Sequence, residues 1–392
     1  MITIKEGSHS FFLLRILSVA GEIPQYSLGI MGSEQTYKRL VHKMCEVQEY
    51  RNARTGERLT VKALIKSGAG KYKTIRLHKK AKRLLEWIGA AEYYENNFCR
   101  NGFPSDIEHK RRNHKIAEVL MILCRAGITF SPQDLPYLNY DYKTQTLLDN
   151  AYFYPSRDLK QYERGELKKL SYTSIVGALF TKDEGFCVYN LRGEMMNWSF
   201  GGEVKAEVDI RRIARMNTAR NSEKDKTPCI MFARNAKVVL DTIANCKTRQ
   251  AKKDANGKWK SIRIQTIEKV YASLHYLPLD GFGAKLLKII TQPNYLKRIL
   301  RAVYKESEVE KGAKMFEYDG IIEDTVYSLC HLDGDIRRLI AFCNGLEVHK
   351  EKGEILCYEF QREYVEEYVK GKNIEVFTVS LEEVEHVLDL SV

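Results

Sequence analysis

Gly21, Pro24, Gly32 and Ser33 crowd so many chain breakers and caps into one short stretch that neither a long helix nor a long strand can pass through it. The start of the chain is thereby cut into three short helical segments. The first, SFFLLRILSVA at residues 10–20, is apolar and stopped by Gly21. The second, QYSLGIM, opens after Pro24 and ends at Gly32. The third, SEQTYKRLVHKMCEV, has Ser33 as its N-cap and places Tyr37, Leu40, Val41 and Met44 at i, i+3, i+4 and i+7. That spacing predicts one buried face. The opposite face carries Gln35, Lys38, Arg39, His42 and Lys43, side chains able to donate to base edges and phosphates.

Two strand-forming runs follow, LTVKALIKS and KYKTIRL, on either side of Gly68-Ala69-Gly70, and then a helix, KKAKRLLEWIG. Helix, short helix, capped basic helix, hairpin, helix is the order of a winged helix-turn-helix, so residues 1–95 are expected to form a DNA-binding domain. Lys66, Lys71, Lys73 and Arg76 of the hairpin would then reach the phosphate backbone or the minor groove. The SGAGK stretch is not a phosphate loop: it lacks the upstream glycine spacing and has Tyr72 where a Ser or Thr is required.

The charge pattern agrees. The chain has 392 residues and a net charge of +12. Residues 36–83 hold 15 basic and 3 acidic side chains, and residues 211–263 hold 15 and 4, whereas residues 306–392 hold 9 and 21. Two basic surfaces and one acidic end suit a polyanion and a separate protein partner better than a small-molecule substrate. Candidate contacts in the second basic run are Arg211 and Arg212, and Lys252, Lys253, Lys258 and Lys260 around the turn Asp254-Ala255-Asn256-Gly257, read as an exposed hairpin or loop.

A loop rich in Asn, Gly and Pro, from Tyr93 to Ser105, marks a boundary. Beyond it the order is a long helix after Asp106, a strand at NAYFYPS, a hairpin from YTSIVGALFT and GFCVYNL, the segment GGEVKAEVDIRRIA with helical spacing, a strand at TPCIMFA and a helix at AKVVLDTIANC. This predicts an α/β domain with a mixed sheet over residues 104–305. The acidic region 306–392 reads as helical, with helices at EDTVYSLC, FQREYVEEYVK and SLEEVEHVLDL. The chain is 44% hydrophobic with 8 Pro and 25 Gly, which excludes collagen-like and low-complexity architectures. Its nine cysteines are scattered without a Cys-x-x-Cys pair and read as reduced core thiols. No run is apolar enough for a membrane span, so the sequence predicts a soluble, cytoplasmic protein with no membrane partner.

The winged-helix segment, the following His-containing helix, NAYFYPSRDL and SIVGALFTKDEGFCVYNLRGEMMNW together resemble the replication-relaxation family of plasmids and integrative elements over roughly residues 8–245. In that family an N-terminal winged helix precedes a domain similar to the PD-(D/E)xK nuclease fold. The resemblance implies a double-stranded DNA-binding protein that assists replication or conjugative processing of mobile DNA, with a relaxase or replication protein as partner through the acidic end.

Nuclease chemistry of that kind needs an acidic residue on the second strand and Asp/Glu-x-Lys on the third, so that carboxylates converge on Mg²⁺ while Lys steadies the attacking water. The hairpin strands carry no carboxylate, and the nearby Glu203-Val204-Lys205 falls in a helical segment. A binding version of a degraded nuclease fold, without a cofactor, is the expectation. A Mg²⁺-dependent endonuclease using Glu203 and Lys205, and an adaptor that binds protein on a winged-helix scaffold, are the rivals.

Overall fold

The computed structural model describes all residues except 69, 71–72, 100–106, 139–146, 160–172, 197–199, 220–224, 247, 254–256, 258, 266, 306–307, 310–314 and 391–392; side chains at 200, 248–253, 259–265 are likewise outside the description. At the N-terminus, β1 (Ile2–Ile4) leads into α1 (His9–Ala20), whose first turn is capped by the Ser8 hydroxyl accepting from Phe11 N at 3.3 Å. Gly21 ends α1 with φ 80°, and a side chain there would also collide with the Phe98 ring, so both backbone and space require glycine. Then come β2 (Glu22–Pro24), a 3₁₀ segment Gln25–Met31, and α2 (Glu34–Met44) with Ser33 as N-cap.

The run LTVKALIKS, expected as one strand, is two. After β3 (Gln48–Asn52), β4 (Arg58–Val61) pairs antiparallel with β3, which pairs parallel with β1; β5 (Leu64–Ser67) instead joins β6 (Thr74–Leu77). Ala63 makes the break, donating its N–H to Met44 O and accepting from His78 N. The second sheet has the order β2-β6-β5, antiparallel throughout. Short helices α3 (Lys82–Trp87) and α4 (Ala91–Tyr94) close this part.

The long helix α5 (Ile107–Ala126) precedes a five-stranded sheet. Its strands are β7 (Tyr152–Pro155), followed by the short α6 (Ser156–Leu159), then β8 (Gly177–Phe180) and β9 (Gly185–Arg192), α7 (Phe200–Asn217), β10 (Cys229–Ala233), α8 (Ala236–Asn245), a separate antiparallel hairpin of β11 (Thr248–Lys253) and β12 (Trp259–Gln265), and β13 (Leu274–Pro278). The order is β13-β10-β9-β8-β7: β7, β8 and β9 meander antiparallel, and β9, β10 and β13 run parallel. The segment GGEVKAEVDIRRIA is helical, as its spacing predicted.

Alternation along these strands divides the interior in two. Phe186, Val188, Ile230 and Phe232 face a cluster with Leu13 and Ile16 of α1, Leu120 of α5, and Leu286 of α9 (Gly281–Ile290). Cys187, Tyr189, Cys229 and Met231 face a second cluster with Ile210 of α7, Val239 of α8 and Phe342 of the acidic region. A strand covered on both sides reads as continuously apolar, as GFCVYNL does.

The acidic region has the expected helices at FQREYVEEYVK and SLEEVEHVLDL but is built around a sheet, and EDTVYSLC is not helical. After α10 (Tyr295–Val303), a four-stranded sheet runs β14 (Gly320–Ile322), β15 (Val326–Cys330), β16 (Lys352–Tyr358) and β17 (Ile374–Val379), with α11 (Ile336–His349), α12 (Glu359–Val369) and α13 (Leu381–Val387) between and after them. EDTVYSLC is a turn and a strand: Glu323 and Asp324 both take left-handed φ (50° and 57°) and reverse the chain so that Ile322 pairs with Val326. Its β-branched and aromatic residues then decide the rest.

The buried clusters cross the expected boundary at residue 306. Leu329, Ile336, Leu339 and Phe342 belong to the second cluster, and Leu332, Tyr358 and Leu381 to the first. Buried Asp335 accepts Leu274 N at 2.9 Å while capping α11, and His275 Nδ1 lies 2.9 Å from Asp333 O. A chain ending at residue 305 is therefore expected to aggregate, eluting in the void volume on size exclusion, because it exposes both clusters. A folded, monomeric 1–305 chain would show this packing to be dispensable.

Candidate nucleic-acid interface

Helix α2 meets the body of the protein through Tyr37, Val41 and Met44, all buried. The Tyr37 hydroxyl lies 3.0 Å from His9 Nδ1 on α1, which fixes the rotation of α2 about its axis. Gln35, Lys38, Arg39, His42 and Lys43 are consequently all exposed. Lys38 pairs with Glu34 at 2.7 Å, and His42 lies 3.4 Å from Glu46, both at the surface, where such contacts contribute little.

The hairpin β5–β6 divides its basic residues between two roles. Lys66 and Lys73 are exposed, and Lys71 lies outside the described residues. Arg76 departs from the expectation that it reaches toward nucleic acid. Its guanidinium donates from Nε to Glu22 Oε2 on β2 at 2.7 Å, because Glu22 is buried and would otherwise lack a counter-charge.

Glu22 also lies 2.8 Å from His114 Nε2 of α5. Burial alone would raise the Glu22 carboxyl, but the His114 and Arg76 contacts hold it below its ordinary value. One helical turn further along α5, buried Glu118 is surrounded by donors. Ser27 Oγ lies at 2.6 Å, Asn190 Nδ2 at 3.0 Å, and Arg192 donates from Nε and Nη2, each at 2.8 Å. Arg192 ends β9 with φ 59°, a left-handed turn that brings its guanidinium back over Glu118 and beside the Tyr26 ring at 5.5 Å. Arg234, just after β10, lies 5.6 Å from the same ring.

These residues border a cleft of about 1290 Å³ between β2, β6 and the 3₁₀ segment on one side and α5 and the ends of β9 and β10 on the other. Lys73, Lys110, Arg111 and Arg234 line it, and the two carboxylates at its base are neutralised. Sequence reading missed Glu22, Tyr26, Glu118, Asn190, Arg192 and Arg234. His114 and Glu118 at i and i+4 on one helical face were the available signal.

Would these residues suit Mg²⁺ in the manner of a PD-(D/E)xK site? They do not. Strand β8, GALF, has no carboxylate, and β9 offers Asn190-Leu191-Arg192 at the two-residue spacing where Asp/Glu-x-Lys would stand. The Glu118 oxygens are already taken by Arg192, Asn190 and Ser27. Glu203 and Lys205 lie on α7, not on a strand. Burial raises the Glu203 carboxyl, which accepts from Ser174 N and Tyr189 Oη, each at 2.7 Å, whereas Lys205 is exposed. Among the described residues no three His, Cys, Asp or Glu side chains gather as metal ligands.

Arg211 and Arg212 also lie on α7, where Arg211 is 3.6 Å from Glu207 and donates to Asp225 O. Lys252, Lys253 and Lys260 fall on the β11–β12 hairpin, whose side chains are outside the description, as is Lys258 altogether.

No family model matches the chain, and no solved structure matches it. A stretch covering 17% of this chain is 37% identical to part of the protein ADP-ribosyltransferase PARP3 of Oryza sativa subsp. japonica, and spans 9% of that protein. So short a match places the chain in no family.

Two outcomes test the ion-pair architecture. Arg192→Ala strands Glu118 in the interior and is expected to cost about 3–5 kcal/mol of unfolding free energy in urea titrations. For Glu22, whose folded value lies below the ordinary 4.5, the stabilisation is complete above about pH 4.5 and lost as pH falls through the lower folded value. The stability gap between wild type and Glu22→Gln should accordingly shrink on acidification. A gap independent of pH would contradict the assignment.

Proposed function

We propose that the protein binds double-stranded DNA through α2 and the β5–β6 hairpin and does not cleave it. The observation that carries this reading is the outer face of α2: five polar or basic side chains displayed together on a helix whose rotation is fixed by buried Tyr37, Val41 and Met44. The succession α1, β2, 3₁₀ segment, α2, β5, β6, with sheet order β2-β6-β5, supports a winged helix-turn-helix, with β3 and β4 inserted between α2 and the wing.

The reading of the middle domain as a nuclease-like fold put to binding use draws on two features. The order α5, β7, β8, β9, α7, β10, with β10 parallel to β9, gives a mixed α/β sheet on which such a domain could be built. The third strand, β9, carries Arg192, paired with Glu118, and no Asp/Glu-x-Lys, which supports a reading without cleavage. Assistance to replication or conjugative processing of mobile DNA follows from the family resemblance. A relaxase or replication protein is the proposed partner, with the exposed Glu359, Glu363, Glu366 and Glu367 of α12 as its docking stripe.

Binding should weaken linearly in log–log salt titrations, with a slope near −4 if about five phosphates are contacted. Arg39→Ala is expected to cost ~1–3 kcal/mol and relax sequence preference, whereas Lys73→Ala should weaken all duplexes alike. Fluorescence anisotropy on a selected site and a scrambled one checks both. A salt-independent signal, or Mg²⁺-dependent nicking lost in Glu203→Gln, would replace this reading.

A further inference from the structure

The cleft at the base of the β5–β6 hairpin shares Lys73 with the duplex-binding surface, but its Tyr26, Lys110 and Arg234 take no part in that surface. We propose that it holds an unpaired DNA strand continuing from the duplex bound by α2, an inference that rests on the duplex-binding reading.

Four observations support it. First, Lys73 of the hairpin, Lys110 of α5 and Arg234 after β10 line the cleft, and none of the three makes an ion pair among the described residues. At the base of the cleft Glu22 is paired with Arg76, and Glu118 with Arg192; at the rim Glu194 and Asp280 stand against Lys73, Lys110, Arg111 and Arg234, so the lining outside the base pairs carries an excess of cations. Second, the Tyr26 ring is 44% exposed at the cleft and lies within 6 Å of the Arg192 and Arg234 guanidiniums. Aromatic faces among backbone-tracking cations are the means by which single strands are held without regard to sequence.

Third, size selects the ligand. About 1290 Å³ exceeds the roughly 300–1,000 Å³ of pockets for drug-sized molecules and suits a few nucleotides. The walls meet at the base, where Ser27 Oγ donates to Glu118 at 2.6 Å and Glu22 lies 2.8 Å from His114, which favours a ligand narrower than a duplex. Fourth, Ser67, Gly68 and Lys73 belong both to the hairpin and to the cleft lining. A strand leaving a duplex gripped by the hairpin therefore meets the cleft directly.

The test compares four labelled probes by fluorescence anisotropy at low salt: a blunt duplex, the same duplex with an eight-thymidine tail on the 5′ end, the same with the tail on the 3′ end, and the eight-thymidine oligonucleotide alone. The tail is expected to tighten binding about tenfold, the contribution of one stacked base with its backbone contacts. Lys110→Ala/Arg234→Ala should abolish that gain and leave blunt-duplex affinity unchanged, while Arg39→Ala lowers blunt and tailed affinity by the same factor. Arg234→Glu, at an exposed position, gives the same test with the fold least disturbed.

Equal affinity for blunt and tailed duplexes in the wild-type protein would overturn the proposal. So would an equal loss on both probes in the double variant, which would reduce the cleft cations to general electrostatics. Absence of blunt-duplex binding with retained binding of the oligonucleotide would instead remove the duplex reading and keep the cleft as a single-strand site.

Discussion

Two carboxylates buried at one seam hold the molecule's parts in register. Glu22 on β2 takes its counter-charge from Arg76 on β6 and lies beside His114 of α5, and Glu118 on α5 takes its own from the end of β9. A buried carboxylate left alone is costly, and its pairing is satisfied only in one relative placement of the elements that supply the partners. The N-terminal sheet, α5 and the central sheet are thus fastened by directional contacts. Apolar packing between α1 and α5 supplies the area, and the ion pairs specify which arrangement that area adopts.

This explains why cations close in sequence serve different ends. Arg76 and Lys73 sit on or beside the same strand, yet one is withdrawn to neutralise Glu22 and the other remains exposed. Net charge counts both equally. Only the first partner shell separates a basic residue that maintains the fold from one free to meet a polyanion, and the positive character of the cleft comes from the second kind.

The reach of the sequence can be judged from particular elements. Local chemistry is enough for α1, α2 and the central strands: Gly21 stops the first helix, Ser33 caps the third, and GFCVYNL after a turn signal reads as a strand, although the Ser8 cap of α1 went unread. The outward set on α2 followed from spacing alone. In the acidic region the helices at FQREYVEEYVK and SLEEVEHVLDL form as their spacing predicts, whereas EDTVYSLC does not, because Glu323 and Asp324 look like the first turn of a helix but adopt left-handed φ and begin a hairpin. LTVKALIKS was joined because nothing local announces that its halves pair with different strands. The cleft was invisible for a third reason: Glu22, Glu118 and Arg192 are far apart in the chain, and their association depends on tertiary contacts that no short window contains.

The central sheet is a wall shared by two interiors, since successive residues of β9 and β10 point alternately into one cluster and the other. Neither interior can melt while the other stays intact, because each loses half of its lining once the shared strands separate. The chain consequently lacks the independence that domains joined by linkers enjoy. Amides on β9 and β10 are therefore expected to be among the slowest to exchange with solvent, and the regions sharing the sheet to lose structure together on heating.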